Sequence, residues 1–265
     1  MGWLLGPKGS LTMRRYWIEK KQIQTNTVHF SHEQFHHIFD VCRQGTGNHF
    51  EVITEDSKAY LVQVTEVLKK SAHATIIEER EIKKLETPHI HLLISLPRYN
   101  VFDSTVERCV ELGVSSITPF VSDYSFIRKE KELPEGKFER WNKIVVSATQ
   151  QSGRGELMKI YELTSFANTL KSINLNEKNW CLLAYEGKTQ VPLRIEISRL
   201  KEKNAGLPDN LFILVGSEGG FSAQEIAQIQ LLGLNPVTLG QQILRVETAC
   251  LTLVSVLKYE FGLMK

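Results

Sequence analysis

Several absences narrow the sequence before any motif does. Its four cysteines, Cys42, Cys109, Cys181 and Cys250, lie far apart and form no metal-ligand spacing. They read as reduced, small core residues of a cytosolic protein. No apolar run approaches the length of a membrane span. The apolar part of residues 1–12 is too short for a signal peptide, and a second methionine, Met13, follows it. Residues 1–12 therefore read as an extension or an early start codon. Neither G-x-G-x-x-G nor G-x-x-x-x-G-K-[ST] occurs, which argues against a dinucleotide or nucleoside triphosphate ligand. An excess of one charge is missing too. The net charge is +2, with 18 Lys/Arg against 16 Asp/Glu in residues 84–210 and 3 against 4 in residues 211–265. The last stretch is thus not a basic surface, and any nucleic-acid contact has to come from upstream.

What is present is concentrated in the last 55 residues. Leu211 to Val215 is an uninterrupted apolar run that ends in Gly216-Ser-Glu-Gly-Gly220. A short run bounded by glycines reads as a buried strand of a parallel sheet. Ser222 then opens a helix, with Glu225 in capping-box position and Gly233 suited to the helix end. Strand, glycine loop and helix N-terminus together predict converging N–H groups that favour a polar or anionic ligand group. A second glycine segment, Gly240 to Thr248, follows the short strand Val237–Leu239. The helix from Ala249 to Leu257 carries no charge, which predicts cover on every side, in part from a second subunit.

Further upstream, Phe50–Ile53, Tyr60–Val67 and Ala72–Ile77 alternate as strands do. Residues 31–43 have helical spacing, and the charged stretch Glu78–Thr87 before Pro88 reads as a linker. From His89 onward, strands His89–Leu96, Ser116–Phe120 and Cys181–Ala184 alternate with helices Val101–Leu112 and Lys137–Gln151. That alternation predicts a parallel α/β sheet with its ligand site beyond the strands' carboxyl ends. Five of the eight histidines fall between His29 and His49, but their spacing lacks a cysteine pair, and no metal is expected.

Gly216-Ser-Glu-Gly-Gly-Phe-Ser222 is followed some 17 residues later by Leu239-Gly-Gln-Gln-Ile-Leu-Arg-Val-Glu-Thr-Ala249. The pair resembles the G-P-E-G-G and L-G-x-x-I/V-L-R-x-E-T-A motifs of the RsmE family. These are 16S ribosomal RNA (uracil-N3)-methyltransferases of the SPOUT class. The resemblance implies an α/β chain with an N-terminal PUA-like β-barrel over residues 13–83. A SPOUT-type parallel α/β domain with a C-terminal trefoil knot would occupy residues 84–265. It implies a cytoplasmic homodimer that acts on small-subunit ribosomal RNA with S-adenosylmethionine as cofactor. A non-catalytic RNA-binding protein on the same fold, or a SPOUT enzyme with another RNA target, remains an alternative.

Site residues follow from the same resemblance. Leu214, Gly216, Glu218, Gly219 and Gly220 would line one side of the cofactor, and Leu239, Gly240, Ile243, Leu244 and Arg245 the other. Arg154, in Gln150-Gln-Ser-Gly-Arg154, matches a family segment and would meet phosphate or a uracil oxygen, unless it caps a helix end. Its side chain is expected to leave the core. Glu186 and Glu218 are the carboxylates for the N3 proton, unless they hold backbone amides or the methionine amino group. Arg14, Arg15, Arg43, Arg98, Arg108 and Arg154 are the expected RNA contacts. The chain departs from the family pattern at Ser217, in place of proline, at Gln150, Gln242 and Met158, and at Val101 and Tyr124, where basic residues are common. The RNA side is altered more than the cofactor side.

Overall fold

The structure is a computed structural model describing residues 13–187, 190–204 and 206–264. The extension expected at residues 1–12 lies outside them. The chain divides into two compact units, residues 13–84 with 149–157 and residues 85–148 with 158–264.

The first unit is a six-stranded sheet around one core. Its strands are β1 (Arg15–Trp17), β2 (Ile23–Gln24), β3 (Thr27–Ser31), β4 (His49–Thr54), β5 (Lys58–Val67) and β6 (Ser71–Glu81). They are ordered β1-β4-β5-β6-β3-β2, with β1 and β4 parallel and the rest antiparallel. Inward residues Val28, Phe30, Phe50, Val52, Val62 and Ala74 alternate with polar ones, as a half-buried strand requires. The helical spacing of residues 31–43 becomes a short α1 (His32–Phe35) running into a π-helical turn, His36–Val41, which still buries Ile38 and Phe39.

Two expectations change here. Glu78–Glu81 is not linker: it is the end of β6, paired with β5. Its charges are used locally, because Arg80 Nη2 lies 2.5 Å from Oε1 of the buried Glu51. Residues 149–157 also join this unit. Trp17 N–H donates to Gln150 Oε1 at 2.9 Å, and Gly153 and Gly155 pack on Arg15 and Ile82.

The second unit is an all-parallel sheet. Its elements run β7 (His89–Ser95), α2 (Tyr99–Glu111), β8 (Ser116–Val121), α3 (Lys137–Ser152), β9 (Lys159–Ile160), β10 (Thr164–Ser165), α4 (Phe166–Ser172), β11 (Asn179–Ala184), β12 (Val191–Pro192), α5 (Leu193–Lys203), β13 (Asn210–Val215), α6 (Ala223–Gln230), β14 (Pro236–Thr238) and α7 (Val246–Glu260). The strand order is β10-β8-β7-β13-β11-β14-β12, with β9 beside β8. Alternate residues of β13 face opposite cores. Leu211, Ile213 and Val215 join α2, α3, α5 and α7, and Leu214 joins α4 and α6. Burial on both faces is why this strand is an unbroken apolar run.

Helix α7 corrects a third expectation. Cys250, Leu253, Val254 and Leu257 are fully buried against this chain's own core, whereas Val256 and Tyr259 face outward. The uncharged helix is therefore covered on one face by its own sheet and α2, and only the opposite stripe is open. A charge at Val254 would test folding, not association.

At the start of the sheet, His91 donates or accepts through Nδ1 to Ser116 Oγ (2.7 Å) and through Nε2 to Asn210 Oδ1 (3.0 Å), and stacks on Phe212. Burial lowers its pKa, and nearby His89 adds to this, while the Asn210 bond opposes. A histidine whose folded pKa lies below its unfolded value of about 6.5 supports the fold above that pH. That support is lost as pH falls through the folded pKa. Thermal unfolding between pH 7.5 and pH 5 is expected to fall less steeply in His91→Gln than in the wild type. Parallel pH profiles would remove His91 from the acid sensitivity.

Candidate active site

Strand β13 delivers Gly216 to the sheet's carboxyl edge. The chain turns there at once. Gly220 N–H donates to Ser217 O at 2.8 Å, and Gly220 sits at φ +71°. A Cβ on Gly216 would lie 2.9 Å from the Gly220 backbone, so only glycine allows this closure. Two side chains fasten the turn. Ser217 Oγ donates to Tyr124 O at 2.6 Å, and Glu218 Oε1 accepts from Arg98 N–H at 3.1 Å. Where the resembling family has a proline that restricts φ, this chain uses a buried hydroxyl that ties the turn to the segment after β8.

The N-terminus of α6 differs from expectation. The capping box forms, with Glu225 N–H on Ser222 Oγ (3.2 Å) and Ser222 N–H on Glu225 Oε2 (2.9 Å). Buried Glu225 also accepts Asp123 N–H at 2.8 Å, and Ser222 Oγ reaches Asp123 Oδ2 at 2.6 Å. The expected set of free N–H groups for an anion is thus partly consumed, and an aspartate already occupies the position. Sequence reading finds the box through its three-residue spacing. It misses Asp123, which is 102 residues from Glu225.

Three loops leave the sheet at one level. Register places Ala184 beside both Val215 and Val237, so Tyr185-Glu186, Gly216–Gly220 and Leu239–Arg245 all begin at the carboxyl ends of adjacent parallel strands. Gly240 has φ +138°, and its N–H and carbonyl both bond Thr238 Oγ1, at 3.2 and 2.9 Å. Leu239 and Leu244 are half-buried, whereas Arg245 and Ile243 are exposed, Ile243 at 84%. A cleft of about 1130 Å³ is lined by Glu186, Gln190, Leu193, Thr238, Leu239 and Gly240, with Val256 of α7. Leu214 is fully buried in the sheet, and residues 216–220 are not part of this cleft's lining. The structure therefore joins Glu186 to the second glycine segment and holds Glu218 on the α2 side of the first.

The expected basic contacts are scattered. In the second unit, Arg98 caps α2 and Arg108 lies exposed in its last turn, where a cation suits the helix dipole. In the first unit, Arg14 Nη1 donates to Cys42 O at 3.0 Å, and Arg43 is exposed at φ +53°. Arg15 Nε pairs with Glu51 Oε2 at 2.8 Å. Arg154 belongs to the first unit, whereas Glu186 and Glu218 belong to the second. The Arg154 side chain is half-buried. Burial lowers its pKa to about 10, against a smaller opposing effect of Glu156. Among the described residues, no group of three or more His, Cys, Asp or Glu side chains could hold a metal ion. No helix among them is long and apolar enough to cross a membrane.

A small β unit followed by a parallel sheet, with a glycine-turn crevice at the sheet's carboxyl edge, defines an α/β enzyme class with an accessory β module. Comparison with known proteins narrows that class. A family described as an RNA methyltransferase domain matches residues 83–258, and an RNA methyltransferase PUA domain matches residues 30–77. The Bacillus subtilis protein named ribosomal RNA small subunit methyltransferase E is 28% identical, over 96% of this chain and 99% of its own length. Its Aquifex aeolicus namesake is 30% identical, over 82% and 93%. A crystal structure of the Neisseria gonorrhoeae protein of that name, bound to S-adenosyl methionine, is 26% identical. It superposes with a TM-score of 0.78 over 94% of this chain and 98% of that one. The chain belongs to the RNA methyltransferase family, within the group named ribosomal RNA small subunit methyltransferase E.

The fastening of the turn is open to a direct check. Ser217→Ala removes the bond to the Tyr124 carbonyl and is expected to cost about 1 kcal/mol in urea unfolding. Glu218→Gln keeps an acceptor for Arg98 N–H and should be near neutral. Equal stability of Ser217→Ala and wild type would mean that the hydroxyl does not hold the turn.

Proposed function

We propose that the chain transfers a methyl group from S-adenosylmethionine to N3 of a uridine in the 16S RNA of the small ribosomal subunit. The observation that carries this is that the loops holding Glu186 and the two glycine segments all leave one edge of a parallel sheet, with Glu186 and the second segment lining one cleft. The chain's membership of the RNA methyltransferase family supports it. The residues fit the cofactor. The apolar walls of Leu193 and Val256 and the carboxylate of Glu186 in one cleft suit a neutral purine joined to a cationic centre, and Glu218 and Asp123 stand at the adjoining glycine turn. A phosphate would meet those carboxylates instead of free amides.

When bound, the cofactor supplies an already activated methyl group, so the chain's task is alignment and charge management. Leu214, Gly216, Glu218, Gly219 and Gly220 are assigned to one side of the cofactor. Leu239, Gly240, Ile243, Leu244 and Arg245 are assigned to the other. Uracil N3 must lose a weakly acidic proton. Glu186 is the proposed acceptor, since it lines the cleft, whereas Glu218 lies outside it on the Arg98 amide. Arg154 is proposed to stabilise negative charge on a uracil oxygen or to hold a phosphate. Its desolvated guanidinium is a stronger electrostatic partner than an exposed one. Arg14, Arg15, Arg43, Arg98 and Arg108 are the proposed RNA contacts. Arg15 is the weakest of these, because Glu51 already holds it.

The reading extends to assembly. A cytoplasmic homodimer is proposed, built on the outward stripe of α7, where Val256 is 40% and Tyr259 78% exposed, with Ile243 beside the cofactor. The trefoil knot is part of the same proposal. Strand β14 lies beyond β11, yet α7 packs on α2 and β13, so the chain must recross the sheet's carboxyl edge. The barrel at residues 13–83 and the methyltransferase domain at 84–265 are the proposed functional division.

Two measurements test this. Calorimetry is expected to show S-adenosylmethionine binding, and Glu186→Gln to keep that binding while tritiated methyl incorporation into unmodified small subunits falls about 100-fold or more. Undiminished incorporation would remove Glu186 as the base, and no cofactor binding by the wild type would end the reading. Light scattering is expected to give a dimer, and Val256→Glu a folded monomer, because the new carboxylate would be buried unpaired. A monomeric wild type would end the dimer proposal.

A further inference from the structure

The segment after β8 exposes aromatic side chains at a place where its backbone is unusually well held. Ser125 is buried; its Oγ lies 2.5 Å from Ile127 O and 2.8 Å from Ser122 O, either of which can take its one proton, and it accepts Ser122 N–H at 3.1 Å. Phe126 N–H donates to Leu96 O at 2.8 Å, and Ile127 enters the core. With Ser125 and Ile127 inward, Tyr124 and Phe126 point outward, and each is 49% exposed. Phe126 meets Tyr99 edge to face at 5.0 Å, and Lys137 Nζ lies 4.3 Å from the Tyr99 ring centre. These rings adjoin the glycine turn. A Cβ on Gly219 would come within 2.8 Å of Tyr124 Cβ, and the Tyr124 carbonyl holds Ser217.

Exposed rings on a rigid support, beside a crevice, mark a binding surface. The charge around them selects the partner. Lys137 lies over Tyr99, Arg98 precedes Tyr99 in the chain, and Arg128 Nη1 donates to the Asp123 carbonyl. Three carboxylates nearby are held by neutral donors as fixed acceptors: Asp123 by Ser222, Glu218 by Arg98 N–H and Glu132 by Arg128 N–H. Flat apolar faces with cations around them suit a nucleobase and its phosphate. We propose that Tyr124 and Phe126 form a stacking platform for an unpaired base of the RNA substrate, next to the reacting uridine. Position 124 is one where the resembling family often has a basic residue, so this chain holds its RNA there by stacking in place of charge. The inference rests on the methyltransferase reading above.

The test uses the full chain and a single-stranded oligouridine carrying one 2-aminopurine, whose fluorescence is quenched on stacking. Tyr124→Ala/Phe126→Ala retains the Cβ that packs on Gly219, so cofactor affinity and melting temperature are expected to stay at wild-type values. RNA affinity is expected to fall about 5- to 150-fold with loss of quenching, the range for one stacked base. The salt dependence of binding should not change, since no cation is removed. Tyr124→Trp should restore affinity. Wild-type RNA affinity and methyl transfer in the double variant would overturn the platform and leave the methyltransferase reading intact. A wild type that binds neither cofactor nor RNA would overturn that reading and the platform with it. Loss of the dimer with RNA affinity intact would assign the face to a second copy of the chain and overturn the proposal.

Discussion

The pairing of β13 between β7 and β11 is the constraint on which the second unit depends. Residues 210–215 are bonded on both edges and buried on both faces, so this strand has no freedom to slip. A shift of one residue would exchange Leu214 with its neighbours across the sheet and break two cores together. The fixed register puts Gly216, Tyr185 and Thr238 at one level. The crevice is therefore a by-product of sheet packing, because the register sets where its loops begin.

At the α6 N-terminus, beside the first glycine turn, carboxylates set the charge. A helix N-terminus beside a glycine loop usually offers amides to an anion. Here Glu225 and Ser222 close it, and Asp123 stands over it. The same groups serve folding and site character. Buried Glu225 accepts N–H groups from both Ser222 and Asp123, joining the glycine turn's helix to the segment that carries Tyr124. The first unit is organised in a comparable way. Its buried Glu51 is held by Arg15 and Arg80 together, so two arginines that look available in the sequence are spent on the fold. A buried carboxylate with two guanidinium partners is costly to break, because removing one partner strands the others.

Legibility followed the range of the interaction. The run Leu211–Val215, the capping box and the α/β alternation depend on neighbours within a few residues, and all three are present as read. Glu78–Glu81 was not legible as strand, because its partners Leu61, Tyr60 and Lys58 are in β5 and its charge is balanced by a residue of β4. The π-helical turn at His36–Val41 was equally hidden, since helical spacing does not distinguish one helix type from another over so short a stretch.

By itself, the sequence determined the alternation of strands β7, β8, β11 and β13 with helices α2, α3 and α6, the two glycine segments and the family to which the chain belongs. Periodicity and motif spacing are local properties, which no distant residue can alter. Tertiary structure alone decided which groups stay available. Folding took Val254 into the core of its own protomer, desolvated Arg154, spent Arg15 on Glu51 and closed the α6 N-terminus with Asp123. It also left Tyr124 and Phe126 in the open on a rigid support. Burial and pairing are sums over residues far apart in the chain, so they take a value only once the sheet has brought those residues together.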